Sequence, residues 1–165
     1  MEWVKIKDYD NYSVNEIGEV RNDKSGRILK WRLDKKGYYR ISLCKNGKVI
    51  YYLIHRLIAL HFIPNPNNYP FIDHININPS DNSIDNLRWC SRSQNNRNIK
   101  KKEGTTSRFR GVYFHKPAKK WMARCRLNGK NKYLGYFETE IEAAETYDNF
   151  VRDNNLEDFS KINIV

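Results

Sequence analysis

Two runs rich in β-branched and aromatic residues flank Asn46-Gly47 in the segment "YYRISLCKNGKVIYYL", residues 38–53. An Asn-Gly dipeptide favours the positive φ angles that a two-residue hairpin turn requires. Strands on both sides of such a turn pair with each other. The pattern therefore predicts a β-hairpin over residues 38–53.

A helical period follows the hairpin in the segment "LIHRLIALHFI", residues 53–63. Its leucines and isoleucines recur at three- and four-residue spacing, and the pattern stops before Pro64. This spacing predicts one short, buried helix. His55 and His61 lie in it, and we assign them packing or capping roles rather than catalytic ones.

Residues 71–98 read "FIDHININPSDNSIDNLRWCSRSQNNRN". Residues 71–72 and 87–90 have the composition of short strands, and the segment between them is full of residues that form loops. Ser91 stands three residues before Gln94, which is a capping-box spacing. The predicted order is strand, loop, strand and then a helix that begins at Ser91 and carries Gln94, Asn95 and Asn98 along its first turns.

This order could bring a small set of polar side chains together. Asp73 and His74 leave the first predicted strand at the place where the helix could present Asn95. One carboxylate and one amide oxygen are hard ligands that suit Mg²⁺, with water and phosphate oxygens at the remaining positions. The pattern thus predicts a candidate metal site at the end of the hairpin.

The C-terminal third predicts three strands and a helix. The strands are "FRGVYFH", "WMARCRL" and "KNKYLGYF", and the last two are joined at Asn128-Gly129. A helix follows from Thr139, where Glu142 completes a capping box. In the second strand, alternate residues face opposite sides of the sheet. The apolar set is Trp121, Ala123 and Cys125, the opposite set is Met122, Arg124 and Arg126, and the helix residues expected to cover the apolar set are Ala143, Ala144 and Tyr147.

Charge is strongly polarised along the chain, whose formal net charge is +11. Residues 99–137 hold twelve basic residues and one acidic residue, whereas residues 138–165 hold two basic and eight acidic residues. This field suits a polyanion, and nucleic acid is the leading partner. No apolar run approaches the length needed to cross a bilayer, so no membrane role is expected. The basic, polar segment "IKKKEGTTS", residues 99–107, reads as a linker between two domains.

The chain has three cysteines, which are widely spaced and lack a C-x-x-C pair. This pattern supports neither a disulfide framework nor a structural zinc site. The N-terminus lacks the apolar core of a secretory signal. We therefore expect an intracellular location, in the cytoplasm of a host or virus-infected cell or in the nucleus.

The polar positions Asp73-His74, Asn86 and Asn95 resemble the His-Asn-His or His-Asn-Asn motif of HNH endonucleases. Upstream, "EWVKIKDYDNYSVNEIGEVRN" resembles the nuclease-associated modular segment of phage and intron-encoded homing endonucleases. The segment "HRLIALHFIPNPNNYPFIDHIN" resembles the approach to their active site. The resemblance implies a nuclease domain of the ββα-metal type over residues 1–98.

The same resemblance implies a role for each of these residues. His74 would act as the general base, and Asn86 would brace the loop and orient His74. Asp73 and Asn95 would hold one Mg²⁺ or Mn²⁺ ion, with the neighbouring Asn96 as the alternative to Asn95. No small-molecule cofactor is expected.

The segment "SRFRGVYFHKPAKKWMARCRLNGKNKYLGYFETEIEAAETYDNFV" resembles the APETALA2-type, or ethylene-response-factor, DNA-binding domain. The resemblance implies such a domain over residues 108–165, with its sheet in the major groove of double-stranded DNA. His115 and Tyr113 replace arginines that are common in plant members, so no base preference is carried over. The residues expected to contact DNA are Arg110, Tyr113, His115, Arg124, Arg126, Lys132 and Tyr133.

The expected fold class is α+β, with a ββα-metal nuclease domain followed by a three-stranded antiparallel sheet packed on one helix. The function hypothesis is a site-specific, metal-dependent DNA endonuclease of the homing type, acting as a monomer or weak dimer. The alternative is a DNA-binding regulator that carries an inactive nuclease fold. Only the first predicts metal-dependent scission. An RNA-directed role is less favoured, because aromatic stacking platforms for single strands are not evident.

Overall fold

The structure is a computed structural model that describes residues 2–101, 103–127 and 129–163. The chain divides into two compact units, Met1–Ser91 and Arg92–Val165. Both units combine helix and strand, which confirms the predicted α+β class. Within the described ranges, no helix has the length and apolar character that crossing a membrane requires.

The first unit consists of short antiparallel strands around the helix α1 (Ile54–Phe62). Its strands are β1 (Trp3–Lys5), β2 (Tyr12–Asn15), β3 (Val20–Asn22), β4 (Arg32–Leu33), β5 (Tyr39–Lys45), β6 (Lys48–Leu53), β7 (Phe71–His74) and β8 (Leu87–Cys90). Among the described residues, β1–β2–β3 and β4–β5–β6 form three-stranded sheets, and β7 pairs with β8.

The hairpin of β5 and β6 confirms the prediction for residues 38–53. Asn46 has φ 52° and Gly47 has φ 75°, so both turn residues are left-handed. A two-residue turn with positive φ at both positions matches the right-handed twist of the strands. Lys45 and Lys48 close the ladder directly beside this turn.

Helix α1 confirms the predicted short buried helix and forms the centre of the first unit's core. Ile54, Leu57 and Ile58 are almost completely buried. The turn between β2 and β3 approaches this helix closely, because a Cβ added to Gly18 would lie 2.5 Å from Ile54 Cγ2. The same core includes Ile72 and Leu87 of the β7–β8 hairpin. The β7–β8 hairpin is therefore packed on helix α1 through this shared core.

The second unit contains α2 (Arg92–Asn95), β9 (Val112–His115), β10 (Lys120–Leu127), β11 (Lys130–Phe137) and α3 (Glu140–Asp153). Its three strands form an antiparallel sheet, as predicted, and their order is β11–β10–β9. A register shift lies between Ala123 and Arg124. Asn128, part of the predicted turn between β10 and β11, lies outside the described residues.

Helix α3 covers one face of this sheet. Its N-terminus confirms the predicted capping box, because Thr139 Oγ1 accepts from the N–H of Glu142 at 3.2 Å and Glu142 Oε2 accepts from the N–H of Thr139 at 3.0 Å. Its buried residues include Ala143, Ala144 and Tyr147, as predicted. On β10, Ala123 and Cys125 are buried whereas Arg124 and Arg126 are exposed, which confirms the predicted alternation.

Helix α2 is shorter than predicted. It ends at Asn95, and Asn98 lies beyond it in a turn where its N–H donates to the carbonyl of Gln94 at 3.3 Å. Asparagine competes for backbone hydrogen bonds and has a low helix propensity, which explains the early end of the helix in this Asn-rich run.

The predicted linker, residues 99–107, lies within the second unit. Its described residues form no helix or strand, but their polar groups are used. Thr106 Oγ1 accepts from the N–H of Phe114 at 3.0 Å, and the carbonyl of Ile99 accepts from Arg110 Nη2 at 2.7 Å. The division into residues 1–98, 99–107 and 108–165 stays a prediction.

Candidate active site

The β7–β8 hairpin carries the Asp-His pair. Asp73 and His74 are the last two residues of β7, opposite Arg88 and Leu87 of β8. The strand is thus two residues longer than the composition of residues 71–72 indicated. Asp73 is 4% exposed and His74 is 6% exposed. Both side chains are therefore positioned by a paired strand rather than by a mobile loop.

Asp73 is bound by its cross-strand neighbour. Arg88 Nε donates to Asp73 Oδ2 at 2.9 Å, and Arg88 Nη2 lies 2.8 Å from the same oxygen. Because both side chains are largely buried, each compensates the charge of the other in a site with little solvent. This ion pair was not part of the sequence prediction, since it depends on the register of the two strands.

His74 is held by the loop that follows it. Its Nε2 lies 3.2 Å from Asn82 Oδ1, eight residues further along the chain. In the tautomer in which Nε2–H donates to this amide oxygen, Nδ1 bears the lone pair. Asn82 is absent from the predicted site, because nothing distinguishes it in sequence from the other asparagines of the loop.

Asn86 closes this loop from the other side. Its Oδ1 accepts from the N–H of Asn76 at 2.9 Å, and its Nδ2 donates to the carbonyl of Asp81 at 2.8 Å. Its own carbonyl accepts from the N–H of Ile75 at 2.8 Å. These bonds connect the two ends of the loop. The role of Asn86 in the site, including its effect on the orientation of His74, stays a prediction, and the ring contact described above comes from Asn82.

The loop also presents a carboxylate. The hydroxyl of Ser83 donates to Asp81 Oδ1 at 2.7 Å, and Nδ2 of Asn76 donates to Asp81 Oδ2 at 2.7 Å. These bonds, with that of Ser83 first, hold the pKa of Asp81 below its ordinary value. The loop therefore keeps a negative charge that also stabilises its own conformation.

A second histidine lies against His74. The ring centroids of His55 and His74 are 4.9 Å apart in an edge-to-face arrangement, and the Tyr38 ring lies 5.3 Å and 6.0 Å from them. His55 Nδ1 is buried and has no hydrogen-bond partner among the described residues. Burial, with smaller contributions from the charges of His74 and Arg56, lowers the pKa of His55 to about 4. His55 is therefore neutral near pH 7.

His55 was predicted to have a packing or capping role, and in the structure its ring packs against that of the candidate base His74. No local signal could have revealed it. Whether a helical histidine faces a distant strand depends on how α1 meets β7 in the folded chain.

Lowering the pH from about 6.5 to 4 is expected to destabilise the first unit through His55. Its folded pKa of about 4 lies below the ordinary value of 6.5, so between these values the unfolded chain binds a proton that the folded chain excludes. The free energy of unfolding then falls as the pH falls, by up to about 3 kcal/mol for a shift of this size. Denaturant unfolding of the wild type and of His55→Gln from pH 4 to 7 measures this dependence.

The variant should show a smaller slope of stability against pH. Leu57→Val is the control, because it weakens the same helix without changing an ionisable group and should keep the wild-type slope. Equal slopes in the wild type and in His55→Gln would show that another group causes the acid sensitivity.

The second unit carries the residues predicted to bind DNA. The open face of its sheet, opposite α3, shows Arg124 with its guanidinium 4.3 Å from the centroid of the Tyr113 ring. His115 and Tyr133 each contact the ring of Tyr136, at 5.0 Å and 5.3 Å between centroids. Tyr136 was not among the residues predicted to contact DNA. In the structure it is 43% exposed. This face combines cationic and aromatic groups, as nucleic-acid surfaces do.

Two of the residues predicted to contact DNA are not part of this open face. Lys132 is exposed but pairs with Cys125, so it lies on the sheet face that α3 covers. The guanidinium of Arg110 donates to the carbonyls of Arg97 and Ile99, at 3.2 Å and 2.7 Å. The position of Lys132 follows from the strand register after the shift at Ala123. The Arg110 guanidinium has a structural role, because it binds backbone carbonyls of its own chain.

Asn95, the second predicted metal ligand, is the last residue of α2, and Asn96 follows it. Both belong to the second unit, whereas Asp73 belongs to the first. The choice between Asn95 and Asn96, and the pairing of either with Asp73, stay predictions.

Comparisons with known proteins agree on the first part of the chain. Residues 52–97 match the HNH endonuclease family, and residues 1–44 match the NUMOD4 motif. The chain is 42% identical to the DNA endonuclease I-HmuI of Bacillus phage SP01 over 96 residues, which cover 58% of this chain and 55% of the relative. It is 38% identical over 90 residues to the uncharacterized HNH endonuclease L245 of Acanthamoeba polyphaga mimivirus, covering 54% of this chain and 27% of that one.

A solved structure described as "DNA binding and cleavage by the HNH homing endonuclease I-HmuI" superimposes with a TM-score of 0.50 at 41% identity, over 55% of this chain and 53% of that chain. The chain spans about half, or less, of the length of the curated relatives it matches. The part of the chain up to residue 97 is therefore similar to HNH endonucleases and to the NUMOD4 motif.

Proposed function

We propose that this chain is a site-specific DNA endonuclease of the HNH homing type, which hydrolyses a DNA phosphodiester with His74 as general base. The observation that carries the proposal is the buried Asp73-His74 pair at the end of β7, inside the segment that matches the HNH endonuclease family. The relative I-HmuI is named as a DNA endonuclease, which supports DNA as the substrate.

In this proposal His74 takes a proton from the attacking water. With Nε2–H donating to Asn82, the proton is accepted at Nδ1. The neutral ring of His55, whose pKa is about 4, lies against the imidazole and adds no second positive charge when His74 becomes protonated. Asn82 and Asn86 hold the loop and the ring in place before the substrate binds.

Asp73 and Asn95, or Asn96 in place of Asn95, would hold one Mg²⁺ or Mn²⁺ ion. Carboxylate and amide oxygens are hard donors that suit such an ion. When bound, the ion would neutralise negative charge on the phosphate and on the departing oxygen.

The second unit would position the nuclease on its target as an APETALA2-type domain. Its three-stranded sheet packed on one helix, and the exposed Arg124 and Arg126 on the open face, support this proposal. The acidic character of residues 138–165 also directs DNA to the sheet rather than to α3. Arginines on such a face can donate to guanine edges in the major groove.

Replacing Arg124 and Arg126 together by alanine should weaken DNA binding by at least about tenfold, because each contact to a base or phosphate contributes about 1–3 kcal/mol. A mobility shift at fixed salt measures the affinity. The control is Arg152→Ala with Lys161→Ala, which removes the same charge from the acidic segment. Equal losses from both double variants would assign the effect to net charge and not to this face.

The experiment that tests the function is incubation of supercoiled plasmid with the purified chain, with and without Mg²⁺. Nicked or linear DNA that appears only with the metal supports the endonuclease. Binding without scission under any divalent metal would instead favour a DNA-binding regulator. The ion pair between Arg88 and Asp73 is the observation that favours this second candidate, since it occupies the proposed metal ligand.

A further inference from the structure

The second unit contains a cavity of about 450 Å³ where residues 96–101 run along the sheet, and we refer to it as the edge cavity. Apolar parts of its wall come from Phe109, Val112 and Tyr147. Its described lining contains no carboxylate. The basic residues that line it are Arg97, Lys100, Lys101, Arg110, Arg124 and Arg126.

Two buried polar groups of the edge cavity lack partners. Nε and Nη1 of Arg97 are buried and make no hydrogen bond with the described residues. Ser160 is only 2% exposed, and its Oγ is likewise without a partner in the described part of the chain. Buried donors in native proteins are almost always satisfied. This combination therefore indicates that an anion completes the cavity.

The segment that carries Arg97 is fastened in place. The Arg110 guanidinium donates to the carbonyls of Arg97 and Ile99, and the backbone N–H of Arg110 donates to Asn163 Oδ1 at 2.6 Å. These bonds join residues 97–99 to the start of the sheet and to the C-terminal segment. The Arg97 side chain consequently enters the cavity from a fixed backbone.

The positive charges that line the edge cavity affect the pKa values of its buried side chains. The charge of Arg97 acts to lower the pKa of the Cys125 thiol, although burial is the largest cause and raises it overall. In the same way, the charge of Arg110 opposes the rise that burial imposes on the pKa of Tyr147. Both guanidinium groups therefore lie close to the buried wall of the cavity.

We propose that the edge cavity binds a phosphate group, with Arg97 and the Ser160 hydroxyl as hydrogen-bond donors. A phosphate offers several acceptor oxygens and carries one or two negative charges, which suits a lining with six basic side chains better than a singly charged carboxylate does. The phosphate can belong to a DNA backbone or to a free phosphate or nucleotide. The cavity lies in the second unit and its lining includes neither Asp73 nor His74, so the proposal goes beyond the nuclease activity. Asn96, the alternative to Asn95 as a metal ligand, belongs to the same lining.

The test is a titration of the ¹⁵N-labelled chain, residues 1–165, with inorganic phosphate, observed at the arginine Nε–H resonances by NMR. The Arg97 resonance is expected to shift and saturate with phosphate, but not with chloride at the same ionic strength. Arg97→Gln should weaken phosphate binding at least tenfold, and Ser160→Ala should weaken it several-fold. Arg152→Gln, which removes an exposed charge from α3, is the matched control and should bind as the wild type does.

Two further arms identify the source of the phosphate, using a deoxynucleoside monophosphate and a short DNA duplex as probes. Binding of the free phosphates that depends on Arg97, with unchanged duplex affinity, assigns a small ligand. Duplex affinity that depends on Arg97 assigns a backbone phosphate. If Arg97→Gln does not fold, the test rests on the phosphate affinity of Ser160→Ala and on the response of the Arg97 resonance in the wild type. An Arg97 resonance that does not respond to any of the three probes, or equal affinities in Arg97→Gln and the wild type, would overturn the proposal.

Discussion

Replacing His74 by alanine is expected to lower the rate of DNA cleavage by about 10²- to 10⁴-fold, which is the range that a positioned general base contributes. DNA affinity should stay near that of the wild type, because the His74 ring is 94% buried and lies against the protein's own loop and rings rather than on the basic sheet. The loss should therefore appear in the chemical step. Single-turnover cleavage of a labelled duplex at saturating enzyme measures this step directly.

The matched control is His61→Ala, which removes an imidazole from the same unit. His61 bonds the carbonyl of Leu57 at 2.8 Å and accepts from the N–H of Lys7 at 3.1 Å, so its role is structural. At a temperature where both variants are folded, it should cleave at the wild-type rate. If His74→Ala cleaves as fast as the wild type, another group is the base.

Asp73→Asn is expected to raise the Mg²⁺ concentration required for half-maximal cleavage at least about tenfold, because it replaces a charged oxygen donor by a neutral one. The same change leaves the largely buried Arg88 without its counter-charge, which destabilises the fold by about 3–5 kcal/mol. Metal response and stability must therefore be measured on the same variants. Cleavage across a Mg²⁺ titration gives the first, and denaturant unfolding gives the second.

Arg88→Gln and the double variant Asp73→Asn with Arg88→Gln separate these two effects. Arg88→Gln keeps the carboxylate, so its Mg²⁺ requirement should not rise. The double variant removes both charges, so it should recover stability relative to Asp73→Asn while keeping the high Mg²⁺ requirement. If the Mg²⁺ dependence of Asp73→Asn equals that of the wild type, Asp73 is not a metal ligand and its role is confined to the pair with Arg88.

The predictions from sequence succeeded where the structure depends on neighbouring residues. The turn at Asn46-Gly47, the capping box of Thr139 and Glu142, and the alternation along β10 all follow from local dihedral preference or from the two-residue period of a strand. The Asp73-His74 pair was singled out from its place next to the first predicted strand, and its role as a nuclease site stays a prediction. The helix after Ser91 was predicted too long, because the Asn-rich run ends it at Asn95.

The contacts that give these residues their chemical character come from the folded chain. The strand register places Arg88 opposite Asp73. The conformation of the loop places Asn82 beside His74, and the packing of α1 places His55 against the same ring. The register of β11 puts Lys132 on the covered face of its sheet. Each of these contacts joins residues that are separated along the chain, and no residue's own backbone preference specifies them. Local preference therefore determined the elements, whereas burial and long-range pairing determined the charges and partners around His74.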